Sequence, residues 1–154
     1  MHIKPLALVA LCLFSLPRDS SCAGKAGQIV ARKGTYSAQL KFRVRKEELS
    51  TLLWGDDFLA EIRIVDSVLL KRGDVTIPIP ASAFCDLGNV RKLTILPDPR
   101  GCTVKLEGGS DGSGYTCAIK IYGDLVASRR VQSKEFPDEA FEETKYHWVP
   151  NDGR

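Results

Sequence analysis

Histidine is almost absent: the 154 residues hold two, and only His147 lies beyond residue 23. A Ser-His-Asp or Cys-His mechanism would have to run through that one residue, in Lys145-Tyr146-His147-Trp148 near the C-terminus. Metal-site spacing is missing as well. There is no CxxC pair and no HExxH, so neither a metal nor another cofactor is implied. No Asn-x-Ser/Thr acceptor occurs, because Asn89 precedes Val90-Arg91 and Asn151 precedes Asp152-Gly153. Among exported proteins this favours a bacterial over a eukaryotic source. Past residue 23 no apolar run approaches the ~20 residues that a membrane-spanning helix needs, and no internal repeat or low-complexity stretch is present.

Charge of one sign is lacking too. Twenty-two basic residues face 19 acidic ones, a net +3, which excludes nucleic-acid binding on charge. The distribution is uneven, however. Residues 133–154 carry Glu135, Asp138, Glu139, Glu142, Glu143 and Asp152 against Lys134, Lys145 and Arg154. An acidic tail lying across its own basic domain is the plainer expectation, and a partner-binding tail is the alternative.

At the N-terminus, Lys4 is followed by the apolar run PLALVALCLFSL and a polar stretch ending Ser21-Cys22-Ala23. That three-part layout predicts a secretory signal peptide over residues 1–23, with a mature chain from about Gly24. Acylation of Cys22 is the alternative, but Asp19-Ser20-Ser21 lacks the usual apolar position. Residues 24–154 suit one domain, expected in the periplasm or outside the cell and without an integral membrane segment. The mature chain keeps Cys85, Cys102 and Cys117, an odd count. A disulfide between Cys102 and Cys117, which flank a Gly-rich turn, is expected; two reduced, packed thiols are the alternative.

Strand signals dominate what remains. In residues 36–45, Tyr36, Ala38, Leu40, Phe42 and Val44 alternate with Ser37, Gln39, Lys41, Arg43 and Arg45, giving one buried and one wet face. Residues 46–54 place Leu49, Leu52 and Leu53 at helical spacing. Residues 58–65 and 68–71 read as a kinked strand, and 75–80 as an edge strand because Pro78 and Pro80 remove ladder donors. A turn or short helix follows at 81–89, then a strand at 91–96 stopped by Pro97. Residues 102–107 and 115–122 form a hairpin about GGSDGSG, and 125–132 adds a third strand. The tail offers a helical turn at 139–143 and a last strand around Tyr146, Trp148 and Val149. The sum is an all-β, antiparallel sandwich of seven to eight short strands with one short helix; a small open barrel is the alternative.

Candidate sites are few. The acid pairs Asp56 with Asp57, Glu107 with Asp111 and Glu142 with Glu143 would serve a hydrolase, yet adjacent acids in turns are usually solvated or capping groups. The Gly-rich loop lacks the Lys and Ser/Thr ending of a phosphate loop and the oxygen ligands of a calcium loop. Arg72-Gly73-Asp74 is a tripeptide read by some adhesion receptors and also an ordinary turn. Better suited to a protein partner are Lys41, Arg43 and Arg45 on one polar strand face, Arg129 and Arg130 on another, and the aromatic residues Trp54, Tyr146 and Trp148. Core tryptophans and a wet basic face are the plainer reading of each. The expectation is an exported, non-enzymatic binding protein of the cell envelope, of inhibitor or immunity type. A secreted adhesion or matrix module and a hydrolase using paired carboxylates are the alternatives.

Overall fold

Beyond Gly27, Gln28, Val30 and Arg32 alternate with Ile29 and Ala31, and this segment forms strand β1 (Gly27–Lys33) in the computed structural model, which describes residues 27–46, 53–55, 61–110 and 112–148. The signal peptide expected at residues 1–23 lies outside the described residues. A turn at Gly34, left-handed at φ 59°, leads into β2 (Tyr36–Lys46). Then come β3 (Glu61–Arg72) and β4 (Val75–Ile77), and the four strands form one antiparallel sheet in sequence order. A single 3₁₀ turn at Ala81–Ala83 crosses to the second sheet, where β5 (Val90–Asp98), β6 (Gly101–Gly108), β7 (Tyr115–Tyr122), β8 (Leu125–Ser133) and β9 (Ala140–Lys145) pair in the same neighbour-to-neighbour way. The expected antiparallel sandwich is thus the architecture, with nine strands among the described residues, and the barrel is not closed.

The two sheets share one core. Ala38, Leu40, Val68, Leu70 and Ile77 come from the first sheet, and Ile95, Val104, Leu106, Ile119, Ile121, Val126 and Val131 from the second. Each fully buried aliphatic side chain contributes roughly 1.5–3 kcal/mol relative to exposure, so this interface is what joins the sheets. Among the described residues no helix is long and apolar enough to cross a membrane.

The prolines sit where their missing N–H is tolerated. β4 is an edge strand, as expected, but it ends at Ile77, so Pro78 and Pro80 follow it in place of lying within it; Pro97 does not stop β5 but lies inside it, because β5 is also an edge. The helix expected over residues 46–54 falls mainly outside the described residues, while Trp54 itself forms a parallel bridge with Leu87. The tail departs from expectation. Residues 140–145 form β9 in place of a helical turn at 139–143, so the last strand precedes Tyr146 and Trp148, and Val149 lies outside the described residues. By pairing with β8, β9 lays the acidic tail across its own domain.

The disulfide expected between Cys102 and Cys117 does not form. Their strands are neighbours, but Cys102 faces Ile121 and Cys117 faces Leu106. Four residues along the ladder is about 13 Å at ~3.3 Å per residue, well outside the ~7 Å limit between bridged Cα atoms. The two stand at unequal distances from the turn, which the Gly-rich sequence between them conceals. Both are free, buried thiols. Burial pushes Cys102 up to about 11 and Cys117 up to about 12.

Candidate functional site

Strand alternation turns Lys41, Arg43 and Arg45 outward from the first sheet, and all three are exposed. The ladder sets their neighbours in rows: Arg32, Ser37 and Lys71; then Val30, Gln39 and Leu69; then Gln28, Lys41 and Ser67. Next to Lys41 the register slips, leaving Asp66 as an extra residue on β3. Asp66 lies 3.6 Å from the Arg43 Nε, but both side chains are more than half exposed (56% and 64%), so the pair adds little. Among the described residues, five cations, Arg32, Lys41, Arg43, Arg45 and Lys71, therefore share this face with the Asp66 carboxylate.

The face is furrowed along β2. Ser37 and Gln39 form the floor of a groove of about 340 Å³ whose walls carry Val30 and Arg32 on one side and Leu69 and Lys71 on the other. Gln39 Nε2 donates to Gln28 Oε1 at 2.6 Å, which ties floor to wall. Val30 is 50% exposed and Leu69 39%, an apolar pair set between basic rows. A shallower hollow lined by Lys41, Phe42, Arg43 and Asp66 continues the furrow.

Arg129 belongs to a different place. It was expected beside Arg130 on a polar face, but consecutive strand residues point to opposite sides. Arg129 shares the parity of Val131 and faces inward at 2% exposure, while Arg130 stays exposed on the outer side of the second sheet. Its Nη2 donates to both Asp86 oxygens at 2.6 and 2.7 Å, and its Nη1 to Glu142 Oε1 at 2.5 Å. The buried Nε has no hydrogen-bond partner among the described residues. Burial works against the charge, yet the bidentate Asp86 contact and Glu142 outweigh it and hold the guanidinium protonated. Partial burial likewise opposes ionisation of Glu142, but the Thr144 hydroxyl, Arg129 and the Trp54 indole together hold its carboxyl below the usual range. Trp54 caps the cluster by stacking on Phe141, with ring centroids 5.2 Å apart and planes 2° from parallel. These contacts make it a clamp between the 86–89 segment, β8 and β9, closed to a partner.

The other aromatic candidates are partly used as well. Tyr146 packs half-buried against the core, and its backbone N–H donates to Ala127 O. Trp148 is 44% exposed, but its Nε1 donates to Val126 O at 2.6 Å. The eight expected binding residues thus divide among an outer basic face, a buried clamp, the opposite sheet and the end of the tail. Residues 30, 32, 69 and 71 were missed because their proximity depends on pairing across three strands; the alternation of Gln28, Val30 and Arg32 with Ile29 and Ala31 was the one local sign.

The one expected acid pair that lies wholly within the described residues does not assemble. Glu142 and Glu143 point to opposite sides, Glu142 to Arg129 and Glu143 to the exterior opposite Arg130. Asp56, Asp57 and Asp111 lie outside the described residues. Glu107 sits among Lys92, Lys105 and Lys134 at 3.4 to 3.6 Å; partial burial opposes its ionisation, but the lysines hold it below the usual range. Arg72-Gly73-Asp74 is the β3–β4 turn, with Gly73 at φ 58° and Arg72 Nη2 bound to Asp124 at 2.8 Å. Fold and site together define an antiparallel β-sandwich with a grooved, basic sheet face. Comparison with protein-family models, with curated proteins and with solved structures finds no match.

Proposed function

We propose that this chain is an exported, non-enzymatic binding protein, of inhibitor or immunity type, that engages an acidic protein partner in the cell envelope through the outer face of its four-stranded sheet. The observation that carries this reading is the run of Arg32, Lys41, Arg43, Arg45 and Lys71 over one sheet face, opposed among the described residues of that face by the exposed Asp66. Like charges held together in a rigid scaffold steer an oppositely charged partner and fix its orientation. The two alternative readings gain less support: Arg72 of the adhesion tripeptide is already engaged by Asp124, and Glu107 and Glu142 are already neutralised by cations.

Capture from envelope fractions and culture medium with tagged protein of residues 24–154, which include every described strand, tests the proposal. One stoichiometric partner should be retained at low salt and lost with the Lys41→Glu/Arg45→Glu variant. It should survive Lys120→Glu/Arg130→Glu on the opposite sheet. Retention by both variants, or by neither the wild type nor any variant, overturns the assignment of this face.

A further inference from the structure

The groove along β2 has a shape that selects among acidic partners. Its floor is low because Ser37 and Gln39 are short or tied down, and its walls are the side chains of β1 and β3. Along it the chemistry changes in an ordered way: a cationic row (Arg32 and Lys71), an apolar row (Val30 and Leu69), then Lys41 and Arg43. The groove floored by Ser37 and Gln39 and the hollow lined by Lys41 and Arg43 follow one another along β2, and Ser37 to Arg43 is six residues, about 20 Å at ~3.3 Å per residue. A helix is about 10–12 Å wide with its side chains, more than the roughly 9.6 Å between the backbones of β1 and β3 that carry the walls, whereas an extended chain fits between them, with every second side chain pointing down.

Resting on the reading of this face as a docking surface, we propose that the element recognised is an extended acidic segment of a protein partner, laid along β2 with one aliphatic side chain between Val30 and Leu69. Acidic side chains two residues before it, and two and four residues after it, meet Arg32 and Lys71, Lys41, and Arg43 in turn. Residues between these point away from the sheet and are free to vary.

Two fluorescein-labelled nonapeptides of identical composition separate this from plain charge attraction. In the first, Ser-Glu-Ser-Leu-Ser-Glu-Ser-Glu-Ser, the leucine and all three acids share one parity. In the second, Ser-Glu-Glu-Leu-Glu-Ser-Ser-Ser-Ser, two acids are moved to the parity that points to solvent. Fluorescence anisotropy with residues 24–154 at low ionic strength should show the first binding at least tenfold more tightly. Val30→Ser/Leu69→Ser should erase most of that preference while circular dichroism confirms an unchanged fold. Equal binding of the two peptides, binding of neither, or equal displacement of both by a sulfated oligosaccharide that binds more tightly overturns the proposal. Retention of a folded acidic partner in the capture experiment, with neither peptide bound, removes the extended segment and leaves the broader assignment of the face standing.

Discussion

Arg129 shows how one side chain can be read correctly for charge and wrongly for role. Its guanidinium is buried and closes three segments of chain on one another, so Arg129→Met leaves Asp86 and Glu142 facing each other without a cation. Breaking a buried pair from one side costs ~3–5 kcal/mol. Because both carboxylates keep partial contact with water (29% and 34% exposed), the loss should fall near the lower end, about 3 kcal/mol, read from the urea midpoint. The same clamp sets an acid limit. Glu142 and Glu107 both titrate below their usual value in the folded chain. Their stabilisation is therefore complete above the unfolded carboxyl value of ~4.3 and is lost as pH falls through the lower folded values. The urea midpoint should stay level from pH 7 to about 5 and then drop; Glu142→Gln should start lower at pH 7 and drop less. The thiols give an independent check on packing. Among the described cysteines Cys85 alone is exposed, so iodoacetamide on folded residues 24–154 should add one label, denaturation should add two more, and reduction should cause no 2 Da shift. A single label after denaturation would restore the Cys102–Cys117 bond and contradict the ladder register.

At the level of elements, glycine placement decides which turns and strands tolerate change. Gly101 opens β6, and a Cβ there would lie 2.2 Å from the backbone oxygen of Ile121, which cannot move without parting β6 from β7. Gly112, in the turn beyond, meets nothing within 4 Å. Gly101→Ala should lower stability by about 3 kcal/mol or more, read from the urea midpoint, because overpacking against a backbone has no side-chain escape. Gly112→Ala should stay within about 0.5 kcal/mol. The same scale separates what was legible from what was not. The β6–β7–β8 meander could be read because each strand alternates in polarity and Gly turns separate them. The residues of β9 read as helical because Glu139, Glu142 and Glu143 suit a helix end, and that weak local preference gave way to pairing with β8, which places Glu142 at Arg129. The polar face of β2 was read from alternation alone, yet its groove was not, since Val30 and Leu69 become neighbours only when β1 and β3 flank it. Inward or outward direction was likewise hidden for Arg129, because a run of two arginines carries no parity until Val131 is known to be core.

For the whole molecule, the small net charge conceals an uneven arrangement that bears on both stability and function. The outer face of the first sheet gathers cations from three strands, Arg32, Lys41, Arg43, Arg45 and Lys71, while much of the acidic complement lies in the tail that turns across the second sheet. Arg32 and Lys71 stand two strand spacings apart, roughly 9.6 Å, close to the Debye length of ~10 Å at 0.1 M salt. Their repulsion is therefore felt at low ionic strength and screened at high. The Arg129 clamp is buried and should respond little to salt, and the lysines around Glu107 are the main attractive set that salt weakens. Repulsion on the first sheet involves more charges with fewer counter-charges, so its relief should dominate. Raising sodium chloride from about 0.05 M to about 0.5 M should increase the melting temperature by about 2 °C, corresponding to ~0.5 kcal/mol for a domain of this size. The Lys41→Glu/Arg45→Glu variant should melt higher than the wild type at low salt and lose most of the increase. A wild-type melting temperature that is flat or falls with salt would mean the face carries no net strain and that its cations are placed for solubility alone. The expected rise has the opposite meaning: the folded chain holds an unfavourable field that an acidic segment lying along β2 relieves, so the charges that weaken the isolated domain are the ones that favour its complex.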